Sequence, residues 1–252
     1  MQTIKKVFLI VFLPLIMGGF FSVCFAQEDA ERPTCDFSLT VYSQYIWRGY
    51  ELSQDSLVMF PSITIGYKGF GFNIWGDFDT DYEGAKTGNN DTEWWETDWV
   101  LTYSNSFKKL NYTLGWIYYD TDAGDDEELF LILGYDMFLS PEVSIWRGIE
   151  YGESWYVSFA LSHSFEFDNG WSWDLGGWVS YKDVHDVDYS ALHDGNIWTA
   201  VNIPINKYWT FSPSINYSFP LSNTAQTELR HASFDGDESH FVYGGFAISA
   251  TF

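Results

Sequence analysis

The chain has few cysteines, few basic residues and, beyond its first segment, no long apolar run. Two Cys occur among 252 residues, and Lys and Arg together number 12 against 35 Asp and Glu. The formal net charge of −23 offers no basic surface for nucleic acid, so no nucleic-acid partner is expected. After residue 26 the chain has no apolar run of about 18 residues, the length that a membrane-spanning helix requires, so no transmembrane helix is predicted.

The first 26 residues have the parts of a secretory signal peptide. Two lysines precede a short apolar run, and the small residues Cys24 and Ala26 stand at positions −3 and −1 of a cleavage site. We therefore predict export to the periplasm with cleavage after Ala26. A lipoprotein site at Cys24 fits less well, because Val23 stands where a small residue is needed. Cleavage leaves Cys35 as the remaining cysteine, which excludes an intramolecular disulfide.

Aromatic residues are abundant although the chain is not hydrophobic on average. It contains 13 Trp, 17 Tyr and 22 Phe, with 21 Gly, yet its mean hydropathy is −0.15. A β-barrel in lipid uses aromatic rings at both membrane interfaces, while a polar inner face lowers the average hydropathy. The composition therefore favours a transmembrane barrel over a soluble domain.

The last segment, residues 238–252, shows the alternation that such a barrel needs. Every second residue from Phe252 back to Val242 is apolar or Gly, and the interleaved residues are mostly small or polar. This segment resembles the closing strand of bacterial outer-membrane barrels, in which a terminal aromatic residue is part of the signal read by the assembly machinery. The resemblance implies that the barrel assembly machinery is a partner through Phe252.

Residues 27–252 contain twelve alternating segments and form one predicted domain. The segments are 37–49, 57–67, 70–79, 94–104, 110–119, 129–136, 142–149, 155–165, 171–181, 197–205, 209–221 and 238–252. Five short turns alternate with six connections that are mostly longer, as an even-stranded barrel with both termini in the periplasm requires. We therefore predict an all-β fold, a transmembrane antiparallel barrel of about twelve strands in the outer membrane. A soluble β-sandwich does not predict this alternation of connection lengths.

The charges follow the same alternation. Most of the 35 acidic residues lie in the six longer connections, whereas Lys68, Lys108, Lys109 and Lys207 lie in short turns. We therefore expect an acidic outer mouth, whose carboxylates divalent ions can bridge to lipopolysaccharide. Simple parity places Arg147 on the outer surface, where it can meet phosphates of lipopolysaccharide. Outer-membrane lipid and lipopolysaccharide are thus the expected surroundings.

Three short motifs carry a resemblance to a known family. The segment Ser43-Gln44-Tyr45-Ile46-Trp47-Arg48-Gly49 resembles the Ser-x-Tyr-x-x-Arg-Gly start of the TorF-type porin family, and residues 70–76 and 212–222 are similar to two further segments of it. With the hairpin spacing, the resemblance covers most of the chain after residue 26. It implies an outer-membrane pore without a defined substrate. The acidic segment 120–128 and the Trp-rich fourth segment do not match the family.

Several charged and aromatic residues fall on the predicted inner face and are the candidate pore-lining set. They are Arg48, Asp77, Asp79, Glu96, Asp98, Trp75 and Trp178. One cation facing several carboxylates can form a constriction that selects ions by sign, or a salt-bridge network that plugs the lumen. Inward rings can guide sugars or nucleosides, or simply fill the barrel. The sequence predicts a passive channel for small solutes that prefers cations; a non-conducting structural barrel is one alternative.

The other alternative is a hydrolase acting on lipid at the barrel rim. His231 and Ser233 would lie on one side of an extended segment, as a nucleophile and its base require. No hydrolase motif surrounds them, so no catalytic residue is assigned and no enzyme is expected. The segment 183–193 has Asp and His side chains of the types that bind metals, but without the spacing of a metal motif. No metal or other cofactor is expected.

Overall fold

The computed structural model describes residues 32–83, 90–150 and 153–252 as a closed antiparallel β-barrel of twelve strands. The strands of the described residues, in the barrel and outside it, are β1 (Thr34–Tyr42), β2 (Ile46–Trp47), β3 (Tyr50–Glu51), β4 (Val58–Tyr67), β5 (Phe70–Glu83), β6 (Asn90–Phe107), β7 (Leu110–Thr121), β8 (Asp126–Tyr135), β9 (Glu142–Gly148), β10 (Ser154–Glu166), β11 (Ser172–Val184), β12 (Tyr189–Pro204), β13 (Trp209–Pro220) and β14 (Phe241–Thr251). Strands β2 and β3 form a separate hairpin. The predicted signal peptide lies outside the described residues.

The barrel closes where β1 pairs with both β14 and β4. Leu39 lies opposite Ile248 on one side and opposite Pro61 on the other. Closure gives the backbone of every strand a neighbour on both sides, which hydrocarbon demands because it offers no hydrogen bonds. The predicted all-β antiparallel barrel is therefore confirmed.

Two helices accompany the strands: α1 (Asn223–Ala232) and a short 3-10 helix (His185–Val187). Neither of these helices, nor any other helical segment in the described part of the chain, is long and apolar enough to cross a membrane.

The two ends of the barrel differ in their connections. At one end, here called the turn end, five connections of two to six residues each join two neighbouring strands. The described chain also begins and ends there. At the other end, here called the loop end, lie the described connections 43–57, 122–125, 185–188 and 221–240. The connections 43–57 and 221–240 are long as predicted, but 122–125 and 185–188 are shorter than the turn-end connection 136–141, so the predicted alternation of lengths is present only in part.

The outer surface carries the apolar residues that the alternation predicts. Ile63, Ile65, Phe70, Leu101 and Leu114 are all exposed on it. Because these side chains alternate along the strands with buried or polar ones, the exposed set forms a surface suited to lipid.

The first predicted segment, 37–49, ends earlier than expected. Strand β1 stops at Tyr42, and the chain then folds back into the barrel, so that Tyr45, predicted to face outward, is 1% exposed. Arg48 and Gly49 have φ values of 49° and 81°, as in a two-residue type I′ hairpin turn. Alternation continues through this hairpin, which is why the sequence pattern did not separate it from β1.

Alternation over the fourth segment predicts Trp95 on the outer face and Trp94 on the inner face, and both predictions are wrong. Trp94 is 50% exposed and Trp95 is 8% exposed, the reverse of the prediction. The pairing of β5 with β6 shifts at this point: Asp77 lies opposite Glu96, but the next residue, Phe78, lies opposite Trp94. This bulge adds one residue to β6 and reverses the faces beyond it.

Two further elements extend beyond the prediction. Strand β12 begins at Tyr189, eight residues before the predicted segment, and α1 lies in what was predicted to be an irregular loop. The hydroxyl of Ser222 accepts a hydrogen bond from the Ala225 N–H at 3.1 Å and caps the helix. A Ser followed by residues that favour helices was the signal for α1 in the sequence.

Gly115 on β7 provides space for an aromatic ring inside the barrel. It lies directly opposite Phe130 on β8, and a Cβ at this position would overlap the Phe130 ring. That ring stacks on Trp146, with 4.3 Å between centroids. By contrast, a Cβ on Gly134 would meet its nearest neighbour, the Cβ of Asn111, at an ordinary 3.9 Å.

We expect Gly115→Ala to lower the free energy of unfolding by about 1–3 kcal/mol, because the ring must move out of its stack. Gly134→Ala is the matched control on the facing strand and should change it by less than about 0.5 kcal/mol. Urea unfolding of both variants in lipid vesicles, followed by Trp fluorescence, measures the difference. Equal effects would contradict this account of the packing.

Candidate functional site

The inner hairpin, residues 43–57 with β2 and β3 at its centre, occupies the lumen at the loop end. The Leu52 N–H donates to the Tyr45 carbonyl at 2.8 Å, and the Ser43 N–H donates to the Gly244 carbonyl at 2.9 Å. The Tyr45 N–H donates to the Ser53 hydroxyl at 2.7 Å. The hairpin is therefore an ordered part of the barrel interior, joined to β14.

Arg48, at the tip of the inner hairpin, forms a buried ion pair with Glu128 of β8. Nη1 donates to Oε1 at 2.8 Å and Nη2 donates to Oε2 at 2.7 Å. The two side chains are 4% and 5% exposed. The Tyr119 hydroxyl also donates to Oε2, at 2.8 Å. Two parallel charge-assisted hydrogen bonds in a dry environment make this a strong and directional contact.

Aromatic rings surround the guanidinium of Arg48. Its Cζ lies 4.4 Å from the ring centroid of Tyr156, 4.6 Å from that of Trp47 and 5.2 Å from that of Trp146. Such distances are those of cation–π contacts, which gain strength when water is excluded. The hairpin tip is thus held to the barrel wall by one charge and by the rings of Tyr156 and Trp146, while Trp47 belongs to the hairpin itself.

His193 of β12 fixes the backbone of the hairpin tip. Its Nε2 lies 3.0 Å from the Arg48 carbonyl oxygen, and its Nδ1 lies 2.6 Å from the Tyr189 hydroxyl. A carbonyl oxygen can only accept, so Nε2 carries the hydrogen and the Tyr189 hydroxyl donates to Nδ1. This assignment requires a neutral imidazole.

Asp194, the next residue, completes the wall beside the tip. It accepts hydrogen bonds from the Tyr156 hydroxyl at 2.8 Å and from Trp178 Nε1 at 3.2 Å. A Cβ on Gly49 would lie 3.0 Å from the Asp194 Cβ and 3.0 Å from Leu229. Glycine is thus required at this place both by its positive φ and by the close approach of its neighbours.

Helix α1 covers the hairpin from the loop end. Its residues Ala225 and Leu229 are buried. The Tyr50 hydroxyl lies 3.4 Å from Glu228 Oε1, and Glu51 Oε2 accepts from the Phe234 N–H at 3.0 Å. Burial raises the pKa of the Glu51 carboxyl, and this backbone hydrogen bond opposes the shift. The connection 221–240, which contains α1, therefore packs on the inner hairpin and keeps it in place.

Three of the predicted pore-lining carboxylates, Asp77, Glu96 and Asp98, lie together inside the barrel on β5 and β6. Asp77 is directly opposite Glu96, Trp75 is opposite Asp98, and all four side chains are buried. Trp95 Nε1 donates a hydrogen bond to Asp77. This arrangement gathers three carboxyl groups on one side of the hairpin.

Arg48 and Asp79 do not complete a constriction as the sequence suggested. Arg48 reaches Glu128 instead of the carboxylates of β5 and β6. Asp79 is buried near the loop end, where its Oδ1 accepts from the Asp81 N–H at 2.9 Å. Among the described residues, none of the four predicted carboxylates makes an ion pair with a Lys or Arg side chain.

An aromatic cluster separates Arg48 from this acidic group. The Tyr45 ring lies 5.1 Å from Phe60, 5.8 Å from Trp75 and 6.0 Å from Trp95. Trp75, a predicted lining residue, is therefore packed under the hairpin. Trp178, the other, lies beside Asp194 and packs partly buried against the rings around Trp146. Both face inward as predicted.

Nearer the turn end, small polar side chains replace the rings. Hydrogen bonds across neighbouring strands join Ser62 and Thr64 to Asn73, Ser104 to Thr113, and Ser172, Asp174 and Ser212 to Asn202. The inner surface is therefore polar in this half and aromatic in the other.

The residues considered for other chemistry do not assemble into a site. Asp183 lies on β11 and His185 in the 3-10 helix, whereas His193 is buried under the hairpin. In the part of the chain that the structure describes, no group of three or more His, Cys, Asp or Glu side chains is placed to hold a metal ion. The extended geometry assumed for His231 and Ser233 is wrong, because α1 continues to Ala232 and the Ser233 hydroxyl donates to the Arg230 carbonyl at 2.9 Å.

Glu128 is the main site residue that sequence reasoning missed. It was assigned to a loop, but β8 begins at Asp126 and carries Glu128 into the lumen. Alternation backward from the apolar outward residues Leu131 and Leu129 indicates an inward Glu128, so the signal was present. The neighbouring strand β9 places Trp146 inward and Arg147 outward, where it pairs with Glu153 at 3.3 Å.

Comparison with known proteins identifies the fold but no family. The sequence matches no protein-family model, and no curated protein is significantly similar to it. Among solved structures, the NanC porin aligns with 86% of this chain and 98% of its own, at 8% identity and a TM-score of 0.54. LpxR from Salmonella typhimurium aligns with 88% and 99% of the two chains, at 10% identity and a TM-score of 0.46. The chain has the barrel fold of an outer-membrane porin.

We expect Arg48→Ala and Glu128→Gln each to lower the free energy of unfolding by about 3–5 kcal/mol, because each leaves a buried group without its partner. The double variant should cost clearly less than the sum of the two. Urea titration in lipid vesicles measures this coupling.

Arg147→Ala is the control for the loss of an arginine. The Arg147–Glu153 pair is partly exposed, and such pairs contribute about 0–1 kcal/mol. Additive effects of Arg48→Ala and Glu128→Gln would show that the buried pair does not hold the hairpin.

Proposed function

We propose that the protein is an outer-membrane channel for passive diffusion of small solutes, closed at the loop end by the inner hairpin. The observation that carries this proposal is the division of the lumen. Its turn half is lined by small polar side chains, whereas at the loop end one connecting loop, docked through Arg48, fills the interior. The similar fold of NanC, a porin, is consistent with this class.

The number of strands sets the scale of the channel. Eight-stranded barrels are filled by their own side chains, and barrels of sixteen strands hold aqueous channels. A barrel of twelve strands is intermediate, so a single inserted hairpin suffices to close it. Displacement of the inner hairpin would join the polar turn half to the outside.

The proposed orientation places the turn end in the periplasm and the loop end outside. Short turns on the periplasmic side and longer loops outside are usual in bacterial barrels. Export through residues 1–26 and assembly through Phe252 belong to the same proposal. Membership of the TorF-type porins is also part of this proposal. The starting motif of that family corresponds to residues 43–49, which form the first arm of the inner hairpin and its turn.

We propose a preference for cations once the channel is open. Asp77, Glu96 and Asp98 face the lumen beside the hairpin, and the loops around the mouth are rich in acids. The field of an exposed charge extends over about 8 Å at physiological salt, which is comparable to a narrow opening. A negative potential there concentrates cations and excludes anions.

A non-conducting structural barrel is the second candidate. The dense packing at the mouth favours it, because Trp75 and Trp146 are almost completely buried among other side chains. The two candidates differ in what happens when the inner hairpin is removed.

We expect replacement of residues 46–51 by a flexible Gly-Ser linker to raise the single-channel conductance several-fold over the unmodified protein. Planar-bilayer recording of the purified, folded variant makes the measurement. The matched control is the same replacement in the connection 122–125, which lies on the rim and should leave conductance unchanged. A folded hairpin-less barrel without single-channel steps would establish the structural candidate.

We expect the triple variant Asp77→Asn, Glu96→Gln, Asp98→Asn to lower the cation-to-anion permeability ratio, because it removes the luminal negative charge. Reversal potentials in a salt gradient, measured in the hairpin-less background, report this ratio. The triple variant Asp136→Asn, Glu166→Gln, Asp168→Asn, on exposed side chains of the turn end, removes the same number of acids and controls for total charge. Added calcium should also weaken the preference. Anion preference of the unmodified lumen would refute the proposal.

A further inference from the structure

We infer that Glu128, Trp146 and Tyr156 form a receptor for a guanidinium group on the barrel wall, and that Arg48 is the occupant it holds while the hairpin is closed. A solute with a guanidinium group would compete for the same place. The existence of the receptor rests on geometry alone, and its role in opening rests on the proposed channel function.

The receptor belongs to the barrel and not to the hairpin. Glu128, Trp146 and Tyr156 lie on the consecutive strands β8, β9 and β10. Trp146 is directly opposite Phe130 on one side and opposite Tyr156 on the other. Adjacent strands of a closed sheet hold their inward side chains at fixed spacing, so the three groups keep their arrangement when the hairpin leaves.

Each receptor group is oriented by a partner that is also on the wall. The Tyr119 hydroxyl donates to Glu128 Oε2 at 2.8 Å. The Tyr156 hydroxyl donates to Asp194 Oδ1 at 2.8 Å, and Trp146 stacks on Phe130. Supporting contacts of this kind preserve a binding geometry in the absence of its ligand.

The guanidinium group of Arg48 makes the contacts with this receptor that a free guanidinium compound would make. Its Nη1 and Nη2 meet the two oxygens of Glu128 at 2.8 and 2.7 Å, and its Cζ lies over the rings of Tyr156 and Trp146. The contacts are made by the planar group at the end of the side chain. The solute class that matches them is therefore a guanidinium compound, such as an arginine side chain or free arginine.

Charge balance couples opening to the arrival of a cation. When the hairpin leaves, Glu128, whose side chain is 5% exposed in the closed barrel, loses its counter-charge, and a carboxylate left without a partner in a confined site is strongly unfavourable. A guanidinium restores both parallel hydrogen bonds, whereas an ammonium offers a single point of charge. Guanidinium solutes should consequently displace the hairpin more effectively than simple amines.

The decisive variant is Arg48→Ala, which empties the receptor and leaves its wall intact. We expect millimolar N-ethylguanidinium to raise the thermal midpoint of this variant and to restore at least half of what the substitution lost. N-ethylammonium at the same ionic strength should bind about tenfold more weakly, as expected from the loss of one charge-assisted hydrogen bond. Trp fluorescence of the protein in lipid vesicles gives the midpoint.

Two controls separate a specific receptor from a general salt effect. Arg48→Ala combined with Glu128→Gln should lose the response to N-ethylguanidinium, since the bidentate acceptor is gone. Arg147→Ala, which removes an arginine from the outer surface, should show no gain. A folded Arg48→Ala variant that ignores N-ethylguanidinium, or an equal response with Glu128→Gln added, would overturn the inference.

A second measurement uses the unmodified protein and covers the case in which Arg48→Ala does not fold. In planar bilayers, N-ethylguanidinium on the loop side should raise the open probability, while tetramethylammonium at equal ionic strength should not. If Arg48→Ala folds only when N-ethylguanidinium is present, the receptor is supported. If it folds in neither condition and the unmodified channel is insensitive, the receptor is refuted.

The outcomes also distinguish this inference from the proposed function. Rescue of Arg48→Ala is read from stability and does not need conduction, so it can succeed in a barrel that never conducts. Conversely, a hairpin-less barrel that conducts, together with an Arg48→Ala variant that N-ethylguanidinium does not stabilise, would keep the channel and remove the receptor.

Discussion

Every backbone N–H and C=O that crosses hydrocarbon must find a hydrogen-bond partner within the protein, and the arrangement of the chain follows from this constraint. Twelve strands meet it by closing on themselves through β1 and β14. Closure fixes which side chains face lipid and which face inward. It also encloses an interior that the inner hairpin fills at the loop end.

Filling that interior with a loop creates an electrostatic problem that the barrel solves locally. The hairpin brings the charge of Arg48 into a dry space, and Glu128 with its surrounding rings compensates it. Asp77, Glu96 and Asp98 lie on the other side of the aromatic cluster around Tyr45. The strongest single contact of the hairpin, the buried pair of Arg48 and Glu128, is thus also its most specific one.

Much of the fold could be predicted from the sequence, because alternation and turn residues are local signals. They located the twelve strands and the five turn-end connections. Local signals failed where contacts between strands determine which face of the barrel a residue occupies. The bulge that exchanges Trp94 and Trp95 depends on pairing with β5, and the inner hairpin continues the alternation of β1.

The candidate site was harder to predict than the fold, because its residues are brought together by contacts between distant parts of the chain. The partner of Arg48 lies 80 residues further along the chain, and no local pattern joins the two. Helix α1, which follows β13, rests on the loop that follows β1, and the strand after α1 is β14, the neighbour of β1. The first and last loops therefore flank the seam at which the cylinder is completed. The segment that caps the mouth is thus joined directly to the strand that completes the cylinder, so one C-terminal stretch of the chain supplies both the cap and the seal.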